Sequence, residues 1–270
     1  MTDVVAIFVQ PHFDDVAWSC GGTCARAAAA GRVLLATVCS DGPATGAPLS
    51  ALAVRLHALW GTGERAVNVR RGEDGEAAAL LGAEPLWLGL RDALYRGDAY
   101  DTPEKLLGEV APHERPLVDE LAARFRALAA EHPRAVWVCP LGVGGNVDHR
   151  IAFDAARALD APTLFYEDMP YVVRDGAAIE RRLAEIDLAL GLALAPVLVD
   201  VTGAFARRCA AALAYRSQLG LLFRGADPVE VLTRHAAGLA GTAGGRCERL
   251  WRRVDRSWEA PAWCSGGARS

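Results

Sequence analysis

Several features that define other protein classes are missing from this 270-residue chain, and each absence removes a reading. No run approaches the ~18 consecutive apolar residues of a membrane-spanning helix. The closest, Leu188 to Val199, is interrupted by Pro196 and predicts a buried helix end followed by a strand. There is no basic stripe with interleaved aromatics, and 29 Lys plus Arg face 33 Asp plus Glu for a formal charge of −4, so no nucleic-acid footprint is present. The seven cysteines are an odd number and contain no CxxC pair, which argues against a disulfide framework or a zinc knuckle. Cys20, Cys24 and Cys39 lie in apolar surroundings and are expected as reduced core thiols. Before the apolar run Val4 to Val9 there is no basic n-region and no small-residue cleavage site, so a cytoplasmic location is the expectation. GxSxG, GxxxxGK[ST] and a GxGxxG after the first strand are absent, which disfavours a serine elbow, a P-loop and a dinucleotide fold.

What is present is ample apolar material, 52% of residues, arranged in a repeating strand–helix rhythm. β-Branched or apolar runs predict strands at Val4–Val9, Val33–Cys39, Pro85–Leu88, Ala135–Cys139, Thr163–Tyr166 and Val197–Val201. Between them, helical patterns cover Thr23–Ala30, Glu73–Leu81, Arg115–Ala130, Ile151–Ala158, Ile179–Leu192 and Phe205–Leu219. The alternation predicts an α/β fold of three layers, a mostly parallel sheet with helices on both faces. Asp41 to Pro48 and Arg96 to Pro116 read as loops, because the pattern resumes unchanged after each. Residues 1–270 therefore read as one domain, with a Trp-rich C-terminal tail packed onto it.

Ligands of open parallel sheets bind beyond the carboxyl ends of the strands, so the residues just after strands carry the argument. Directly after the first strand come Pro11-His12-Phe13-Asp14-Asp15. Three ionisable side chains in four positions are costly to bury without partners, and a divalent cation is a natural neutralising group. One of two adjacent carboxylates would bind the ion while its neighbour accepts a proton from water. The same residues would equally serve as a helix-capping turn. After the strand ending at Cys139-Pro140 comes Gly142-Val143-Gly144-Gly145-Asn146-Val147-Asp148-His149-Arg150, which adds a candidate ligand on the same edge of the sheet. Three protein ligands with one open position is the pattern of catalytic zinc.

PHFDDVAWSCGGT and GGNVDHR, about 130 residues apart, resemble the AHPDDE…GGT and HPDHR motifs of the PIG-L/LmbE-like N-deacetylases. Cys39-Ser40-Asp41-Gly42, Arg70-x-x-Glu73, Leu88-Gly89-Leu90-Arg91-Asp92, Asp200-Val201-Thr202 and Ala212 to Gln218 extend the similarity in the same order. The resemblance implies a Rossmann-like, LmbE-type fold and hydrolysis of an N-acyl group, foremost N-acetyl, on a small amino-sugar or natural-product intermediate. It also implies one Zn2+, or another divalent ion, held by His12, Asp15 and His149, with Asp14 as general base and Asp148 orienting the machinery. Arg70 and Asp92 match substrate-binding positions. Three positions depart from the family pattern: Val16 stands for a glutamate, Asn146 for a histidine and Gly144 for a tyrosine. The latter two stabilise transition-state charge in relatives, and an Asn amide can donate a hydrogen bond, so Asn146 is expected to take part of that role. An amidase for a larger acyl or thiol conjugate, with Trp18, Trp251, Trp258 and Trp263 as pocket walls, and a catalytically impaired binding protein are the alternatives.

Overall fold

The computed structural model describes residues 3–264 except 224 and 258 and the side chain of residue 64. The strands are β1 (Val4–Gln10), β2 (Arg32–Thr37), β3 (Glu84–Trp87), β4 (Val136–Pro140), β5 (Thr163–Tyr166), β6 (Leu194–Asp200) and β7 (Cys247–Arg253). They form one sheet in the order β3-β2-β1-β4-β5-β7-β6. All pairings are parallel except those of β7, which runs antiparallel between β5 and β6. Pro85 is tolerated in β3 because that strand forms the sheet edge, where a missing N–H breaks no inner ladder.

Helices follow as α1 (Asp15–Ala30), α2 (Ala51–Leu59), α3 (Ala66–Leu81), α4 (Pro103–Leu106), α5 (Arg115–Glu131) and α6 (Val147–Arg157). Then come α7 (Tyr171–Arg174), α8 (Ala178–Leu190), α9 (Phe205–Ala214), α10 (Arg216–Phe223) and α11 (Pro228–Ala240). Strand side chains alternate between two cores as the pleat requires. Ile7, Val9, Leu34, Trp137 and Phe165 join one core with α5, α6 and α8. Ala6, Phe8, Leu35, Val138 and Leu164 join the other with α1 and α3. Both faces are thus covered, as the strand–helix rhythm predicts, and none of the described helices is long and apolar enough to cross a membrane.

Several elements differ from the sequence expectation. The first helix begins at Asp15, so Gly21-Gly22-Thr23 lies inside it, with non-helical angles at Cys20 absorbing a kink. Packing outweighs the poor helix propensity of glycine here: a Cβ on Gly22 would fall 2.7 Å from Val201. The single helix expected over Phe205–Leu219 is two, broken at Tyr215, whose hydroxyl donates to buried Asp74 (2.8 Å). Glu73 then accepts the backbone N–H of Ser217 (2.9 Å) and its hydroxyl (2.7 Å), holding the start of α10. Helices α2 and α11 fall in stretches without an assignment, although Ser50 and Asp227 cap their N-termini. The C-terminal segment is not merely packed on the domain, because β7 is an inserted strand of the sheet. Its Glu248 is buried where the pattern calls for an apolar residue. There it accepts the N–H groups of Gly22 (2.9 Å) and Thr23 (2.7 Å) and pairs with buried Arg208 (3.1 Å).

Candidate active site

β1 and β4 are neighbours at the point where the strand order reverses, the crevice in which doubly wound sheets bind ligands. The turn after β1 carries His12, Asp14 and Asp15, and the start of α6 after β4 carries Asn146, Asp148 and His149. His12 Nδ1 lies 3.6 Å from Asp15 Oδ2, and His149 Nε2 lies 3.4 Å from Asp15 Oδ1. Ligand atoms about 2.0–2.2 Å from a tetrahedral ion sit roughly 3.3–3.6 Å apart, so this nitrogen and oxygen set fits a divalent cation. The far nitrogen of each imidazole is engaged: His12 Nε2 is 3.0 Å from Asp148 Oδ2 and His149 Nδ1 is 2.6 Å from Asp168 Oδ1. A carboxylate on the far nitrogen places the proton there and leaves the other lone pair for an ion. A second grouping, His12, Cys39 and Asp148, also converges. It fits poorly, because Asp148 is already taken up by Arg96 (2.6 Å), the Ala93 N–H (2.9 Å) and His12.

Asp14 is the one non-glycine residue with positive φ among the described residues, at 109°, and its side chain caps no helix N–H. The capping reading is therefore not what the turn does; the unusual backbone turns the carboxylate into the crevice, 3.9 Å from Arg70 Nη2. Burial pushes the Asp14 carboxyl up to about 8, with Arg70 opposing and Asp15 reinforcing. Burial disfavours charge on His12, yet Asp92, Asp148 and Asp15 outweigh it and raise the imidazole to about 9. His149 is likewise raised by Asp15 and Asp168 against burial. Burial acts to raise Asp148, but Arg96 and His12 hold it well below the usual carboxylate range. The cluster of carboxylates thus demands nearby positive charge, which a divalent cation would supply.

His12, Asp14, Asp15, Asn146 and His149 line a cavity of about 250 Å³. Arg70 is buried within α3 rather than being a surface cation, its guanidinium 4.9 Å from the Trp60 ring and 5.5 Å from the Phe13 ring. Asp92 both caps a turn, accepting the Leu94 N–H (2.9 Å), and faces the cavity, with Oδ2 3.6 Å from His12 Nε2. Val16, which departs from the family glutamate, is fully buried in the core and lines no part of the cavity. Trp18 packs on Phe223 (4.4 Å), Trp251 donates to Glu167 (2.9 Å) and Trp263 meets Phe8 (6.2 Å), and none of the three lines the cavity. Trp258 lies outside the described residues. The tryptophan that does line it is Trp60.

The family model described as GlcNAc-PI de-N-acetylase, PIG-L, matches residues 7–159, which span the two turns that carry His12 and His149. The chain belongs to that PIG-L family. A relative, 2'-N-acetylparomamine deacetylase of Streptomyces fradiae, is 36% identical over 221 residues, covering 78% of this chain and 72% of that protein. Among solved structures, the zinc-inhibited form of teicoplanin deacetylase is 28% identical with a TM-score of 0.79, covering 94% of this chain and 100% of that one. The A40926 pseudoaglycone deacetylase is also 28% identical, with a TM-score of 0.76 over 95% of this chain and 99% of that one. PIG-L membership and these deacetylases make the chain an N-deacetylase.

Sequence reasoning missed Asp168, Arg96 and Tyr171. Asp168 stands two residues after β5, where the strand-end rule that singled out His12 also applied. Arg96 fell in a stretch read as loop; it donates to Asp148 and grips Glu114 (2.7 Å). Nothing local marks Tyr171.

Proposed function

We propose that this chain removes an N-acetyl group from an amino sugar carried on an apolar natural-product intermediate, working as one domain. The observation that carries the reading is the convergence of His12, Asp15 and His149 on one wall of a cavity that Asp14 also faces. A divalent cation at these three ligands would acidify water and polarise the amide carbonyl, and the nitrogen and oxygen donor set suits zinc. Asp14 takes the proton of the attacking water and returns it to the leaving amine. Arg70 already opposes the rise of the Asp14 carboxyl, and a cation at the three ligands would act in the same direction, towards the range of a working base. Asp148 and Asp168 hold the two imidazoles in the ligating tautomer, and Arg96 fixes Asp148. Arg70 and Asp92 face the sugar, the guanidinium as donor and Asp92 Oδ2, which accepts no hydrogen bond among the described residues, as acceptor for hydroxyls.

The outer wall is apolar: Leu52, Leu56, Trp60, Leu94, Leu221 and Leu222. A bare polar sugar has nothing to match this surface, whereas an aromatic or alkyl neighbour of the reacting sugar would bury against it. The same wall favours a second reading, in which the apolar part is a longer acyl group on the nitrogen. Seven free thiols, five of them buried, support a reducing cytoplasmic location. The test is an amine-release screen with mass detection, using protein loaded in turn with zinc, cobalt and nickel. Its substrates are acetamido-sugars with and without apolar aglycones, and matched long-chain amides. Release of acetate from glycosides with apolar aglycones supports the first reading, fatty acid the second, and no amine from any of them would overturn both.

A further inference from the structure

Gly144 has a φ of +88°, and a Cβ built on it would fall 2.2 Å from Cγ of Tyr171. The absence of a side chain at 144 is therefore what admits the Tyr171 ring, delivered by α7 after β5 rather than by the turn before α6. In that place the ring meets His149 edge-on, with centroids 6.1 Å apart and planes at 90°, and lines the same cavity as His12, Asp14 and Asp15. Asn146 is committed in one direction: its Oδ1 accepts the Asp148 N–H (2.9 Å) as the cap of α6. That bond fixes the carboxamide on the cavity wall that Tyr171 also lines, close enough for Asn146 to act on the Tyr171 hydroxyl.

Hydrolysis of an amide builds negative charge on the carbonyl oxygen, and a neutral donor already aimed at that point stabilises the transition state without reorganising. A phenol, protonated up to a pH of about 10, is such a donor throughout the neutral range. The neighbouring cation Arg70 is already shared among Asp14, Asp92 and the Phe13 carbonyl (3.2 Å). We propose that Tyr171 is a catalytic residue of this chain, its hydroxyl donating to the oxyanion of the tetrahedral adduct, with Asn146 as its positioning residue. This rests on the N-deacetylase reading. In the step itself the water oxygen bonds to the carbonyl carbon, the π pair moves onto oxygen and Tyr171 hydrogen-bonds it without giving up its proton. Collapse restores the carbonyl and breaks the C–N bond, and the nitrogen leaves with the proton held by Asp14. The donor role expected of Asn146 thereby passes to Tyr171, and the Gly144 departure becomes the condition for it.

The decisive experiment is calorimetric, on the full chain loaded with cobalt(II), comparing methylphosphonate, a tetrahedral mimic of the hydrated acetyl group, with planar acetate. Tyr171→Phe should weaken methylphosphonate about tenfold, the loss of one hydrogen bond to an anion, while acetate stays within about twofold. The cobalt absorption spectrum should remain that of the wild type, showing the ligands in place. Asn146→Ala should weaken methylphosphonate less, and the double variant no more than Tyr171→Phe alone. On any acetamido-sugar that the wild type turns over, Tyr171→Phe should lower kcat by ~10²–10³ with KM little changed. Equal effects on methylphosphonate and acetate, or none on either, would overturn the proposal. Tyr171-dependent selectivity for methylphosphonate in a protein that releases no amine would instead support the donor while sinking the deacetylase reading.

Discussion

Asp14 sits at φ 109° beside Asp15, and that one residue of left-handed backbone sends two adjacent carboxylates in different directions. Asp15 bridges towards both imidazoles while Asp14 faces Arg70 across the crevice. Asp14→Asn should therefore keep the ion but lose the proton acceptor: a fall in kcat of ~10²–10⁴ with metal content unchanged by elemental analysis. His149→Ala should do the opposite, stripping the purified protein of an ion that the wild type holds at about one per chain. A His149→Ala protein that retains its metal would remove this residue from the ligand set. Asp168 acts one bond further out, on His149 Nδ1, so Asp168→Asn should weaken the ion ~10- to 100-fold in a chelator competition rather than abolish binding.

At the scale of elements, the least expected is β7, a charged strand that closes the sheet between β5 and β6. Its Glu248 satisfies two backbone N–H groups inside α1 and the buried Arg208 at once. Glu248→Ala leaves those donors and a buried cation without their carboxylate, and should cost ~3–5 kcal/mol of stability, read as a large drop in denaturation midpoint. A loss below about 1 kcal/mol would mean that water replaces the carboxylate. The helix pair α9 and α10 is broken by the same kind of interaction, with Asp74 anchoring Tyr215 and Glu73 holding Ser217. In both places a buried, fully partnered acid decides where an element starts or stops.

For the whole molecule, His235 on α11 links acidity to stability. Burial, aided by Arg208 and Arg249, lowers its imidazole to about 4. Above pH ~6.5 both folded and unfolded chains hold it neutral and it contributes no pH dependence. As pH falls from ~6.5 towards about 4, the unfolded chain takes up a proton that the folded chain refuses, so stability falls with acidification by at most about 3 kcal/mol. His235→Leu should flatten the stability curve in that window, measured by urea denaturation at a series of pH values. An unchanged slope would show that the histidine titrates normally in the fold.

The layered α/β architecture was legible in the sequence because a parallel sheet covered on both faces demands short apolar strands alternating with amphipathic helices, a pattern written locally. The residues that gather at the crevice were legible for a related reason: His12, Asp14 and Asp15 share one turn, and Asp148 and His149 another, each next to a readable strand end. Glu248 hid β7, since a buried carboxylate looks like a solvent-facing one until its partners, more than 220 residues away, are known. Trp60 and Tyr171 reach the cavity from elements that nothing in their own neighbourhoods ties to it, and Asp168, though it follows a strand end, shows its task only through its contact with His149. The amino-acid order by itself determined which layers form and which ionisable side chains stand at the strand ends, because these follow from periodicity and chain-local chemistry. Only the tertiary structure decided which carboxylates steady the two imidazoles, which tryptophan walls the cavity and which ring fills the space above Gly144. Those contacts arise from strand order and helix packing, which join residues that the chain keeps far apart.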